Sequence, residues 1–105
     1  MDILKNERAG LKPVPTNLPD SPGVYYFLGP KKEILYVGKA TSLKDRVKSY
    51  FGPDLLETRG EKLVKMLEGA VALDFRTTDS VLEAIMLEAH EIQKHNPPAN
   101  TIGKD

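Results

Sequence analysis

Two β-rich runs, GVYYFL at residues 23–28 and EILYVG at 33–38, stand either side of the four-residue stretch GPKK. This constrains the fold more than any other feature, because an antiparallel hairpin fixes which side chains share a surface. If residues 29–32 form the loop, partners carry numbers that sum to 61. Tyr25 then lies opposite Tyr36, Phe27 opposite Ile34 and Gly23 opposite Gly38 on one face, with Val24, Tyr26, Leu35 and Val37 on the other. Two phenols on one surface form a cross-strand pair worth about 0.2–1 kcal/mol. Glycines at both ends of that surface mark a close approach by another backbone or a ligand.

Beyond the hairpin, TSLKDRVKSYF opens with Ser42 and Asp45 in a capping arrangement, repeats apolar residues at 43, 47 and 50, and runs into Gly52 and Pro53. That is a helix with a defined start and stop. A second helix is predicted from about Arg59 to Glu68, ended by Gly69. Val71, Leu73 and Phe75 then alternate with Ala72, Asp74 and Arg76 as a strand. Ser80 and Glu83 open a last helix that closes near Asn96 and Pro97. The expected fold is α/β of the α+β type: a small three-stranded sheet flanked by helices, in the order ββααβα. Residues 1–17, broken by Pro13 and Pro15, read as a loosely packed extension, and residues 18–105 as the domain.

At 105 residues there is room for one domain, with an expected radius of about 13 Å. No apolar run approaches membrane-spanning length, no signal-type segment opens the chain, and there is no cysteine. A cytoplasmic monomer with no membrane association is therefore expected. The net charge of zero conceals an asymmetry: residues 1–52 carry nine Lys and Arg against five Asp and Glu, and residues 53–105 carry six against ten. A uniformly basic coat is excluded, whereas a local basic patch beside a few acids is not. Lys31, Lys32, Lys44 and Lys48 read as an ordinary solvated run.

The candidate chemistry gathers after the hairpin. Arg46 and Tyr50 lie on adjacent turns of the first helix, and Lys39 sits in the turn leading to it, so Tyr36, Lys39, Arg46 and Tyr50 converge. With Ile85 at zero on the last helical wheel, Val81 falls near −40°, Ile92 near −20° and Glu88 near −60°, placing Glu88 inside the apolar arc. A carboxylate there calls for a partner: Arg46, Lys39 or a divalent ion. A structural ion pair with Arg46 and a metal site are evenly matched on this geometry. HEIQKH imitates a zinc signature, but His90 and His95 are five apart and diverge by roughly 140° on a helix, so one ion cannot be shared. Motifs of serine hydrolases, phosphate-binding loops and dinucleotide-binding turns are absent from the sequence. Asn100, in the rigid turn NPPAN, is an ordinary candidate for capping local backbone.

Gly23-Val24-Tyr25 and Tyr36-Val37-Gly38 resemble the two halves of the GIY-YIG nuclease motif. The longer strings PGVY, LYVGKA, SLKDRVKSYF and LEAIMLEAHEIQKHNPPAN resemble N-terminal nuclease domains of the UvrC type over residues 18–100. The resemblance implies a DNA endonuclease that nicks one strand on the 3′ side of a lesion in nucleotide excision repair, with a UvrB-like protein in a fuller complex. It implies a single divalent ion, Mg²⁺ or Mn²⁺, held by Glu88, with Arg46 on the scissile phosphate and Tyr36 as general base. Tyr25, Lys39, Tyr50 and Asn100 match further active-site positions. Ala99 stands where relatives commonly carry an aromatic residue. Two alternatives share the fold: a DNA-binding module idle without a partner, and a protein-docking domain.

Overall fold

The structure, a computed structural model, describes residues 17–100. The chain runs through β1 (Gly23–Leu28), β2 (Ile34–Ala40), α1 (Leu43–Lys48), α2 (Leu55–Arg59), α3 (Glu61–Gly69), β3 (Ala72–Thr77) and α4 (Val81–His95). Short 3₁₀ turns follow α1 at Ser49–Phe51 and α4 at Pro98–Asn100. The sheet is antiparallel in the order β2-β1-β3, with a Cα radius of gyration of 13.0 Å. The expected α+β architecture and element order are present. The proposed extension over residues 1–17 lies, but for Asn17, outside the described residues.

The hairpin register differs from the one expected. Tyr25 pairs with Gly38, Phe27 with Tyr36 and Gly23 with Ala40, a shift of two residues, and the register changes again between Phe27 and Leu28. The cause is the loop. Residues 29–33 form it, with Gly29 N–H donating to Glu33 O at 2.8 Å and Lys32 in a left-handed conformation at φ 65°. A shift by two preserves the faces, so Tyr25 and Tyr36 still share one, as diagonal neighbours with ring centroids 6.4 Å apart. The irregularity near the loop exchanges two residues: Ile34 packs with Val24, Tyr26 and Val37, while Leu35 joins Tyr25 and Phe27.

Each sheet face buries its own cluster. Tyr25, Phe27 and Ala40 pack under Leu43, Val47, Tyr50, Leu55 and Leu67 from α1 to α3, whereas Val24, Tyr26 and Val37 meet Leu87 and Ile92 of α4. The paired glycines are steric requirements. A Cβ on Gly38 would overlap the Tyr25 ring, and one on Gly23 would strike Arg76 O and the Leu43 side chain. Both helix starts use the expected caps: Ser42 Oγ accepts from Asp45 N at 3.3 Å and Ser80 Oγ from Glu83 N at 3.1 Å. The helix predicted from about Arg59 to Glu68 is α3, starting at Glu61, and a short helix that was not expected, α2, precedes it; the two are divided at Gly60, whose φ of 92° no other residue type adopts readily.

The inward side of α4 is also displaced from the expected arc. Val81, Leu82, Ile85 and Met86 are substantially exposed, while Ala84 and Glu91 are buried and Leu87, Glu88 and Ile92 are half-buried. The wheel centred on Ile85 misleads because α4 presents two carboxylates toward the protein, each answered by a cation. Glu88 meets Lys39, and Glu91 meets Arg76 and His95.

Candidate active site

β1 delivers Tyr25 from the middle of the sheet, and β2 delivers Tyr36 beside it. The α1 segment and its 3₁₀ continuation carry Tyr50 against the Tyr25 and Phe27 rings, because Val47 and Leu43 anchor the helix to that face. Tyr25 Oη and Tyr50 Oη are 2.7 Å apart, and the Tyr25–Tyr50 and Phe27–Tyr50 ring centroids lie at 5.7 and 5.0 Å. Tyr25 and Tyr50 are essentially inaccessible, so this hydroxyl pair is buried and directional.

Arg46 lies beside these hydroxyls. Burial alone would weaken its charge, but a hydrogen bond that it donates to Tyr25 and the electrostatic influence of Tyr25, Tyr50 and Tyr36 more than offset it, leaving the guanidinium pKa raised. Burial pushes the Tyr36 phenol up, Tyr25 and Glu88 push it further, and Tyr50 and Arg59 pull it down. Tyr50 is pushed far above the ordinary phenol range, first by burial and then by Tyr25 and Tyr36. Tyr36 and Tyr50 are therefore protonated in the free domain at neutral pH.

An open cleft of about 560 Å³ runs from the end of β2 to the start of α4, lined by Lys39, Ser42, Arg46, Ser49, Arg59 and Ala84 among others. Glu88 lies one turn beyond Ala84 on α4, and its carboxylate meets Lys39 Nζ at 3.6 Å with its side chain 19% exposed. Of the partners considered for Glu88, the structure shows a loose pair with Lys39, and Arg46 has no carboxylate within ion-pair distance among the described residues. A lone carboxylate so loosely held retains oxygen lone pairs for a hard cation. No group of three or more His, Cys, Asp or Glu residues gathers among the described residues. The donor set fits a Mg²⁺-like ion that takes one protein carboxylate and completes its shell with water and substrate oxygens, and does not fit an all-protein cage.

Asn100 sits apart from the cleft's acid. Its Oδ1 accepts from Val37 N at 2.8 Å and its Nδ2 donates to Val37 O at 2.9 Å, so its amide occupies the open edge of β2 as a neighbouring strand would. Of the expected residues, Tyr25, Tyr36, Arg46 and Tyr50 form one cluster, Lys39 and Glu88 form a pair whose acid also acts on Tyr36, and Asn100 braces β2 at Val37. Sequence reasoning missed Arg59, whose guanidinium carbon lies 4.5 Å from the Tyr50 ring centroid. The one available signal was the Arg-Gly step, since a left-handed glycine ends α2 and aims the residue before it. It also missed Glu91 and Tyr26, a buried acid and a buried phenol on the opposite sheet face.

Residues 21–101 match the model of the UvrC-like GIY-YIG domain. Over 102 residues the chain is 45% identical to UvrABC system protein C of Haloarcula marismortui, covering 94% of this chain and 16% of that protein. With the same protein of Desulforudis audaxviator it shares 42% identity over 89 residues, 85% of this chain and 14% of the relative. The chain therefore spans about a sixth of the length of these relatives. Among solved structures it resembles the GIY-YIG N-terminal endonuclease domain of UvrC from Thermotoga maritima, bound to magnesium as its catalytic divalent cation. There the TM-score is 0.70 and the identity 34%, over 80% of this chain and 88% of that one. The packed tyrosines, the cleft arginine and the α4 glutamate accordingly sit in a chain that belongs to the UvrC-like GIY-YIG domain family.

Proposed function

We propose that this chain is a divalent-metal-dependent endonuclease domain that hydrolyses one phosphodiester of DNA, making the 3′ incision of nucleotide excision repair. One observation carries the reading: Arg46, set beside the buried phenols, shares an open cleft with Lys39, and Lys39 engages the Glu88 carboxylate only loosely, at 3.6 Å. Glu88 would hold the ion, Mg²⁺ or Mn²⁺. Bound there, the cation supplies positive charge to the scissile phosphate and to the departing sugar oxygen.

The protein's own groups would do the remainder. Arg46, kept charged by its phenol neighbours, binds a non-bridging oxygen and offsets the charge that grows as water attacks. Tyr25 and Tyr50 position Arg46, and their shared hydrogen bond removes the freedom that would otherwise be lost on binding. Tyr36 gives its own phenolic proton to solvent and, as the phenolate, accepts the proton of the attacking water. Its raised pKa opposes that role in the free domain, but Glu88 is among the causes, and neutralising Glu88 removes that influence. Lys39, released from Glu88, is free to meet the phosphate backbone.

A second reading is favoured by the same lysine. Lys39 against Glu88 is a closed arrangement, suited to a domain idle until a partner loads the substrate; in a UvrABC-type system that partner would be a UvrB-like protein. No helix among the described residues is long and apolar enough to cross a membrane, and we place the domain, as a monomer, in the cytoplasm with its DNA.

Glu88→Gln is the deciding test. The half-buried amide keeps the shape of the acid, so far-ultraviolet circular dichroism and melting temperature should stay close to the parent's. Nicking of a supercoiled or lesion-bearing plasmid in Mg²⁺ or Mn²⁺ should disappear. Retained nicking by the folded variant would remove Glu88 from the metal site.

A further inference from the structure

Arg59 is the last residue of α2, set by the left-handed Gly60 that follows. Its guanidinium does two things. It lies over the Tyr50 ring at 4.5 Å, and its Nη2 donates to Ser49 Oγ at 2.8 Å. Ser49 Oγ in turn donates to the backbone oxygen of Arg46 at 2.6 Å. A chain of contacts therefore joins the two arginines through Ser49, and all three residues line the cleft. Among the described residues Arg59 has no carboxylate within ion-pair distance, so this ordered guanidinium has its charge unanswered. Stacking on a ring and a single hydrogen bond leave most of its five N–H donors available.

An arginine that only packed would not require a cleft position beside a second uncompensated arginine, since like charges repel. The geometry points to a substrate: we propose that Arg59 binds a phosphate flanking the scissile one, so that Arg46 and Arg59 clamp successive phosphates of one DNA strand. Ser49 sets the spacing between them, and Tyr50, buried beneath Arg59, fixes the wall from which it reaches. This deepens the nuclease reading and rests on it. Arg59 acts by fixing where along the strand the bond to be cut lies, not by touching the reacting atoms.

The test is a cycle between protein and substrate. Oligonucleotide duplexes carrying a neutral methylphosphonate at each phosphate flanking the scissile one are nicked by the parent chain and by Arg59→Gln. Neutralising one flanking phosphate should lower the parent's kcat/KM by about 10- to 100-fold, the scale of a charge-assisted hydrogen bond, and have almost no further effect on Arg59→Gln. If the two losses multiply at both flanking positions, Arg59 touches neither phosphate and the proposal fails. Should Arg59→Gln not fold, Arg59→Met, which keeps an unbranched stem against Tyr50 and loses the charge, serves in the same cycle. If the parent nicks no DNA under any metal condition, the nuclease reading fails, and binding measured by fluorescence anisotropy in EDTA still decides the clamp. A salt slope shallower by about one in Arg59→Gln supports it, and equal slopes overturn it.

Discussion

Tyr50 keeps its proton because the fold gives the phenolate nowhere favourable to be: burial is the main cause, Tyr25 and Tyr36 add to it, and Arg59 only partly opposes. Tyr36 and Tyr26 are shifted in the same direction, each chiefly by burial. Tyr26 is the more exposed to consequence, since its hydroxyl has no hydrogen-bond partner although Arg76 and Glu91 lie nearby. The sign of the linkage follows. In the unfolded chain these phenols ionise near pH 10, while in the fold they retain their protons. Their contribution to stability is complete below about pH 10 and is lost as pH rises past it. The melting temperature should therefore change little from about pH 7 to 9 and fall above about pH 10, and Tyr50→Phe should flatten that alkaline slope whatever it does to stability at neutrality. Thermal melts of both proteins across the alkaline range decide it; parallel slopes would mean that Tyr50 titrates normally.

The elements were legible in the sequence where they punctuate themselves. Ser42, Ser80 and Glu83 announced helix starts, whereas the alternation read across β3 does not appear in its burial: Ala72 and Leu73 are half-buried, Asp74, Phe75, Arg76 and Thr77 are exposed, and Val71 lies before the strand. What failed were quantities decided by local backbone or by tertiary partners. The hairpin shifted by two because Lys32 takes a left-handed conformation that lengthens the loop, something no alternation pattern records. The wheel for α4 weighted apolar residues, whereas its inward side is shared with acids whose cations come from β2 and β3. The role of Asn100 was legible only as residue type, since its partner is Val37, 63 positions away. That pairing makes the turn after α4 a cover for the β2 edge. Asn100→Ala should lose about 1–2 kcal/mol by leaving the Val37 amide and carbonyl without their partners. Hydrogen exchange resolved at Val37 should accelerate with it; an unchanged Val37 amide would show that the edge does not depend on this side chain.

Across the whole molecule the balanced charge resolves into a division of labour. The basic first half supplies Lys39 and Arg46 to the cleft, the second half adds Arg59, and the acids concentrated late in the chain place Glu88 beside Lys39. Among the described residues only a few cations thus gather at the cleft, and on the proposed reading these are what a polyanion would meet. Affinity for DNA should accordingly be weak and set by those few contacts. If Lys39, Arg46 and Arg59 each neutralise one phosphate, the logarithm of the binding constant should fall with the logarithm of salt concentration with a slope of about −2 to −3. Anisotropy titrations of a labelled duplex in EDTA, with sodium chloride varied, measure this directly. A slope several units steeper would mean that a larger basic surface engages DNA, and tight binding that persists in high salt would mean that contacts other than these cations hold it.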